Sequence, residues 1–334
     1  MPYSRRMKNI FVLGGSGFVG AHVCEQLVRA GWLVTVPTRR RVKAQAIQHL
    51  PGLTVLEMDV HDEAALIRAV AGHSAVVNLV AILHGDATAF ARTHVQLAEK
   101  IARACVANGV SQLVQVSALG ADPARAEAAP SNYLRSKSAA EGVLAKASAA
   151  HPALRVSVLR PSVIFGANDK FLNVFARLQA LFPVMPLACA DARFQPLWVE
   201  DVASAVLGSL KQGLEQAPAL RVYELAGTEV YTLRQLVQFA ARNSGINQGR
   251  GRPVIGLPLW MGRIQAFMLG LMPGEPVMSQ DNLDSMQLDN VASGGLPGLA
   301  ALGITASSLQ AIGPQYLFPD AAAQGLLGLR NRRR

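Results

Sequence analysis

Tyr133 and Lys137 stand four residues apart in a stretch with helical character, so their side chains share one face. An ammonium beside a phenol favours the phenolate, which would lower the tyrosine pKa until the hydroxyl exchanges a proton with an alcohol or carbonyl. Ser117 precedes the tyrosine by sixteen residues, at the end of an apolar run, where its hydroxyl can orient the same oxygen. Ser117, Tyr133 and Lys137 are therefore the candidate catalytic set. A tyrosine and lysine at this spacing also arise by chance on surface helices, so their weight depends on what surrounds them.

Upstream lies Gly14-Gly15-Ser16-Gly17-Phe18-Val19-Gly20, directly after the apolar run 10–13, with Gly14, Gly17 and Gly20 spaced GxxGxxG. A chain that turns at once from strand to helix, brings its backbone against a pyrophosphate and packs that helix on the sheet has no room for Cβ atoms. The helix then offers unpaired N–H groups and the positive end of its dipole to phosphate. Ser16, Phe18 and Val19 join the three glycines as candidate cofactor contacts. After the second strand an acidic residue would bind the ribose 2′-hydroxyl of NAD, but the sequence offers Thr38-Arg39-Arg40-Arg41. Guanidinium groups bind phosphate in bidentate fashion, so Arg39 and Arg40 favour NADP(H) over NAD(H), the alternative being a solvated basic loop. Asp59, after the third strand, is placed to face the adenine amino group. Asn78-Leu79-Val80-Ala81 ends the fourth strand beside the cofactor, which adds Val80 and Ala81.

The elements that must hold these residues follow from hydrophobic rhythm. Short β-branched runs at 10–13, 33–37, 54–58, 75–79, 113–116 and 156–159 alternate with helical stretches. That pattern predicts an α/β doubly wound parallel sheet. A helix is expected over 89–108, stopped at Gly109, and another around Tyr133 after Pro130 and Ser131. Beyond residue 166 the rhythm breaks into helices separated by Pro and Gly, with an isolated strand-like run at 222–226. The expected division is a Rossmann domain over 1–166, a smaller, mostly helical lobe over 167–329 interleaved with it, and a basic tail over 330–334. Residues 254–273 are strongly apolar but interrupted by Pro258, Arg263 and Gln265. They are too broken to span a membrane and read first as a buried helix, second as an interfacial patch on a membrane or partner.

Composition narrows the partners. The chain is 51% hydrophobic and 16% charged, which excludes disorder and is apolar enough to suggest contact with lipid or protein. The net charge of +10 sits in Arg5, Arg6 and Lys8, in Arg39, Arg40, Arg41 and Lys43, and in Arg330, Arg332, Arg333 and Arg334. Without these the body carries 21 basic residues against 22 acidic ones, so no nucleic-acid-binding face is expected. Cys24, Cys105 and Cys189 are scattered, and His84 and His94 lack partners at ligand spacing, so no metal site is expected. The cysteine usage and the early glycines after the basic N-terminus point to a cytoplasmic protein without a signal peptide. Asp201 reads as a helix N-terminal carboxylate, and Cys24 and Cys105 as core.

Taken together, these residues resemble the extended and atypical short-chain dehydrogenase/reductase superfamily. The marks are the GxxGxxG loop, Asp59-Val60, Asn78-Leu79-Val80-Ala81, Ser117, Tyr133-x-x-x-Lys137 and Arg160-Pro161-Ser162-Val163-Ile164-Phe165-Gly166. Trp198-Val199-Glu200-Asp201-Val202-Ala203 and Tyr223-Glu224-Leu225-Ala226-Gly227 continue the series, and Leu13 departs from it where many members carry threonine. The resemblance implies catalytic Ser, Tyr and Lys, a cofactor contact at Val60, and Pro161 along the nicotinamide. GGSGFVG, VNLVAIL, VSALGAD, YLRSK, RPSVIFG and SQDNLDSMQLDNVA look most like the branch that holds the nucleotide-binding accessory subunit of respiratory complex I and its bacterial relatives. That likeness implies NADPH held at a membrane junction in an accessory, assembly or sensing role. The retained Ser117, Tyr133 and Lys137 keep open an active reductase, dehydrogenase or epimerase on a hydrophobic quinone or isoprenoid carbonyl. The sequence leaves the oligomeric state open.

Overall fold

The computed structural model describes residues 8–213, 219–270 and 278–317. Arg5, Arg6, the basic tail at 330–334 and residues 271–273 of the apolar stretch lie outside them. Two compact units divide the chain: one drawn from Met1–Pro161, Val199–Leu225 and Ser293–Thr305, the other from Ser162–Trp198, Ala226–Ala292 and Ala306–Arg334.

The first unit is built on seven parallel strands: β1 (Asn9–Leu13), β2 (Leu33–Thr38), β3 (Leu53–Glu57), β4 (Ala75–Asn78), β5 (Gln112–Val116), β6 (Arg155–Pro161) and β7 (Leu220–Leu225). Their spatial order is β7-β6-β5-β4-β1-β2-β3. β1, β4, β5 and β6 are almost wholly buried, which is why each is built around a short apolar run. One face packs Phe11, Leu13, Val76, Leu113 and Val156 against helices Glu63–Val70, Leu97–Ala107 and Asn132–Ala150. Helices α1 (Phe18–Arg29) and Val199–Gln212 pack together, pinned where Glu200 accepts from Gln26 Nε2 at 2.8 Å and meets His22 Nδ1 at 2.5 Å. With Glu25, His22 and Glu200 form the group of potential metal donors found among the described residues, within which Glu200 accepts from Gln26 and meets His22.

Two expectations need correction here. The run at 222–226 is not an isolated strand of the smaller lobe: it belongs to β7, which pairs with β6 from Leu220↔Val156 to Leu225↔Pro161. As an edge strand it keeps polar residues (LRVYEL), so it lacks the apolar signature of its neighbours. The helix expected over 89–108 is composite, with α-helix at Ala87–Phe90, one turn of π-helix at Ala91–Gln96, then α-helix at Leu97–Ala107.

The second unit gathers Phe165, Leu172, Phe175, Phe194, Leu236, Val237 and Leu309 into its own core. It carries helices Leu172–Leu181, Leu233–Asn243 and Leu259–Gly270, with strand Met185–Ala188 parallel to strand Val254–Leu257. The first-choice burial of the 254–273 segment is wrong for the helix it contains. Among the residues of helix Leu259–Gly270 whose burial is described, Gly262 and Ala266, four apart, are the buried ones, whereas Trp260 and Phe267 are 64% and 63% exposed. Small residues allow the close approach, since a Cβ on Gly262 would lie 2.4 Å from Ala188 Cβ. No described helix is long and apolar enough to cross a membrane.

Within the first unit, helix Asn132–Ala150 is locked to β6 by a buried ion pair. Arg160 Nη2 donates to Glu141 Oε2 at 2.6 Å and Nε to Oε1 at 3.0 Å. Removing one partner strands the other charge, so Arg160→Met is expected to cost about 3–5 kcal/mol in urea denaturation. The double variant Glu141→Leu/Arg160→Met should lose clearly less than Arg160→Met alone. Equal or larger loss in the double variant would show that the pair is not coupled.

Candidate functional site

The strand order reverses between β1 and β4, and the candidate residues follow the carboxyl ends of the strands on either side. In open α/β sheets this is where a crevice forms for ligands. Gly14 takes φ +79, and a Cβ there would press within 3.0–3.1 Å of the Leu79–Val80 peptide. Gly20 is tighter, since a Cβ would meet the Gly14 carbonyl oxygen at 2.2 Å. The start of α1 is thus drawn onto the loop. Gly17 is its N-cap, with no capping side chain and no acidic residue in the first turn. Its first N–H groups and dipole face the loop, with Ser16, Phe18 and Val19 half-buried around it. Asn78 braces the far side, its amide donating to Gln115 Oε1 at 2.8 Å and its Oδ1 accepting from Val80 N–H at 3.1 Å. Val80 is half-buried and Ala81 exposed.

At the ends of β2 and β3 the arginines separate. Arg39 and Arg40 are exposed, while Arg41 turns back, its Nη2 donating to Val55 O at 3.3 Å and its N–H to Glu57 Oε2. Asp59 is exposed and its Oδ1 accepts from His61 N–H at 3.0 Å, with Val60 half-buried between them. His61 sits in a cationic surround that sequence reasoning missed. Its pKa is held below the ordinary histidine value, first by burial, then by the charge of Arg92, with Lys100 and Arg39 acting alike and Asp59 opposing. Lys100 Nζ also donates to His61 O at 2.6 Å. Arg92 and Lys100 lie some thirty to forty residues on, too far for any local motif to announce them.

The proposed catalytic residues collect at the ends of β5 and β6. Ser117 N–H donates to Leu159 O at 2.7 Å and Leu119 N–H to Pro161 O at 3.0 Å, which sets Ser117 beside buried Pro161. Ser117 Oγ is buried and has no hydrogen-bond partner among the described residues, an atom that asks for a ligand or water. Ser131 caps helix Asn132–Ala150 and so starts the turn that carries Tyr133 and Lys137. Lys137, 2% exposed, donates from Nζ to Val116 O at 3.1 Å and lies 5.8 Å from the Tyr133 ring centroid.

Electrostatics here differs from the simple expectation. The Tyr133 hydroxyl is pushed up to about 12 by burial, not down by the lysine. Lys137 is itself pushed down to about 8 by burial, against the pull of Glu141. Desolvation outweighs the pairing of phenol and ammonium, so the resting phenol is a proton donor rather than a base.

His94 is buried beside Tyr133, the rings edge to face at 5.7 Å, with Phe90 completing the cluster. Its Nε2 accepts from Ile82 N–H at 3.2 Å, which leaves the proton on Nδ1 to meet Ser136 Oγ at 2.8 Å. Ser136 in turn donates to Tyr133 O at 2.8 Å. Burial, then the charge of Lys137, drives the His94 pKa down to about 2. It is a fixed neutral brace joining the loop after β4 to the tyrosine helix. No neighbouring motif signals this role, because the π turn breaks the helical spacing. Asp201 lies in the first turn of its helix, and Cys24 and Cys105 are core thiols pushed up to about 12 by burial.

These pKa values have measurable consequences. The unfolded chain binds a proton at His94 below about pH 6.5 and the folded chain does not. His94 therefore contributes stability above that pH which is lost as pH falls. His94→Gln is expected to flatten the decline of the urea midpoint between about pH 6.5 and 4, and parallel declines would refute the neutral brace. Lys137 is expected to titrate near pH 8 by side-chain ¹⁵N NMR, and an ordinary lysine midpoint would contradict its burial.

Comparison with known proteins follows the same lines. The family model of the NAD dependent epimerase/dehydratase family matches residues 10–225. The mitochondrial NADH dehydrogenase (ubiquinone) 1 alpha subcomplex subunit 9 of Mus musculus is 29% identical over 315 residues, covering 90% of this chain and 77% of that protein. Its Arabidopsis thaliana counterpart is 29% identical over 234 residues, covering 68% of this chain and 56% of that protein, little more than half its length. Ceramide reductase of Caulobacter vibrioides is 27% identical over 239 residues, covering 71% and 70%. Among solved structures, UDP-glucose 4-epimerase of Thermotoga maritima superposes with TM-score 0.69 at 19% identity over 95% of this chain and 99% of that one, a likeness of fold.

Proposed function

The chain belongs to the NAD dependent epimerase/dehydratase family, and on that footing we propose that it is an NADP(H)-binding protein with an accessory, assembly or sensing role in a membrane-linked respiratory or quinone system. The observation that carries the role is the reach of the likeness to the mouse NADH dehydrogenase subunit, 315 aligned residues against the family match at 10–225. The protein would work on the cytoplasmic side, peripheral to the membrane.

The dinucleotide fits the residues present. Its pyrophosphate would meet the uncapped start of α1 at Ser16, Gly17, Phe18, Val19 and Gly20, where the glycine cradle leaves no room for a Cβ. Arg39 and Arg40 would take a 2′-phosphate, and Arg92 and Lys100 add positive charge about His61. Asp59 and Val60 would lie along the adenine, Val80 and Ala81 beside the middle of the cofactor, and Ser117, Lys137 and Pro161 toward the nicotinamide. Bound there, the nicotinamide would give or take a hydride.

A second reading, an active NADPH-dependent reductase, dehydrogenase or epimerase on a hydrophobic quinone or isoprenoid carbonyl or alcohol, is favoured by one observation. The chain retains Ser117, Tyr133 and Lys137, and the phenol rests protonated, which suits delivery of a proton to a carbonyl oxygen as it is reduced. Ser117 would orient that oxygen, and Lys137 would stabilise the tyrosinate left behind.

Titration by calorimetry should give NADPH at least about tenfold tighter than NADH, with the preference lost in Arg39→Ala/Arg40→Ala. Equal affinities in the parent protein would overturn the NADP(H) assignment. Mixed with NADPH and a panel of quinone and isoprenoid carbonyls, the parent protein is expected to leave the cofactor unoxidised. Turnover abolished by Tyr133→Phe would replace the accessory role with the reductase.

A further inference from the structure

The second unit concentrates two unusual surfaces at neighbouring places. After helix Leu233–Asn243 the chain loops through residues 244–253, braced where Asn247 Nδ2 donates to Gly251 O at 3.1 Å, and encloses an open cavity of ≈ 420 Å³. Gln238, Arg242, Asn247, Arg250 and Arg252 line it, three guanidinium groups and two amides with no carboxylate among the lining residues. No described acid pairs with any of the three arginines, whereas Arg193 and Arg263 in the same unit each hold an aspartate. Arg252 is rooted, its N–H donating to Gln179 Oε1 at 3.1 Å and its Nε to Gln179 O at 3.3 Å, with Gln179 fully buried. Cationic forks collected without a counter-charge suit a phosphate.

Apolar side chains flank this pocket where a soluble anion would have no use for them. Leu181, Phe182 and Val184 follow Gln179 directly and are exposed, Leu181 by 76%. Met185 N–H donates to Pro253 O at 2.9 Å, which ties that stretch to the arginine end of the loop. From the pocket, strand Val254–Leu257 leads into helix Leu259–Gly270, whose Leu259, Trp260, Met261, Ile264, Phe267 and Met268 all stand exposed. The helix has no acidic residue, and its one cation, Arg263, is paired with Asp284 at 3.1 Å. So large an apolar surface on a single chain marks an interface, and tryptophan beside arginine is the composition of a lipid headgroup boundary.

We propose that the second unit binds the surface of an anionic phospholipid bilayer, with lipid phosphate in the Arg242, Arg250 and Arg252 pocket and the Leu181–Val184 and 259–268 side chains in the acyl boundary. This names the surface in the membrane-linked reading above and rests on that reading. Charge complementarity favours the bilayer, whose phosphates match the pocket, over a symmetric second copy that would set this cationic pocket against its own duplicate.

Flotation of the full chain with phosphatidylcholine vesicles, alone or with about 30 mol% phosphatidylglycerol, tests it. Binding to the anionic vesicles is expected to exceed that to neutral ones by about tenfold or more, and to fall by a similar factor in Arg242→Gln/Arg250→Gln. Trp260→Ser/Phe267→Ser, altered only at exposed positions, is expected to lose both. Equal flotation on both vesicles, or none lost with the arginines, overturns the phosphate site. Absence of flotation overturns the whole proposal, and if light scattering then shows a dimer dissolved by Trp260→Ser/Phe267→Ser, the face belongs to a second copy. NADPH titration of the same samples separates the two ideas, since lost cofactor binding with intact flotation strikes only the dinucleotide reading.

Discussion

Helix Asn132–Ala150 carries Tyr133, Lys137 and Glu141 at successive four-residue steps, and two of the three are charged groups taken out of water. Such burial is costly unless each charge meets a partner in fixed geometry. Lys137 meets the last carbonyl of β5 and Glu141 meets Arg160, the residue before Pro161 on β6. The helix therefore cannot slide or roll against the sheet without stranding a charge. That restraint sets where Tyr133 stands, and through Ser136 and His94 it reaches the loop after β4. The ends of β4, β5 and β6 and the tyrosine helix are in effect one braced corner.

The same burial governs the chemistry of that corner. A lysine in water would draw the phenol toward its anion, but here both groups are desolvated and each is pushed toward its neutral form. The site at rest is uncharged at the phenol and at His94, and only weakly committed to its ammonium. A bound anionic cofactor would meet positive charge mainly at Arg39, Arg92 and Lys100, away from the reacting end.

Much of this was legible in the sequence, for identifiable reasons. The central strands β1, β4, β5 and β6 are buried on both faces and keep short apolar runs that announced them, whereas β7 is an edge whose Arg221 and Glu224 disguise it. The glycine loop is legible because Gly14 and Gly20 approach backbone too closely for a side chain, and such requirements leave fixed spacing. His94, Arg92 and Lys100 act across the fold and leave no spacing behind. The apolar composition of 254–273 fits a buried helix or an interfacial patch alike, and what distinguishes them in helix Leu259–Gly270 is that Gly262 and Ala266, four apart, mark its buried face. Hydrophobicity told that the helix must be covered, not by what.

The π turn at Ala91–Gln96 amounts to one residue more than an α-helix would use. Each residue of an α-helix turns the axis by about 100°, so that extra residue sets the phase of everything downstream. Leu97, Ile101 and Cys105 face the core because of it, and Lys100 and Arg103 reach His61 and Glu63. Excising one residue from the turn would rotate the helix by more than a quarter revolution and carry charged residues toward the sheet. A feature easily taken for a local irregularity thus sets the register of the packing beyond it, and its loss would be a change of phase rather than a loss of length.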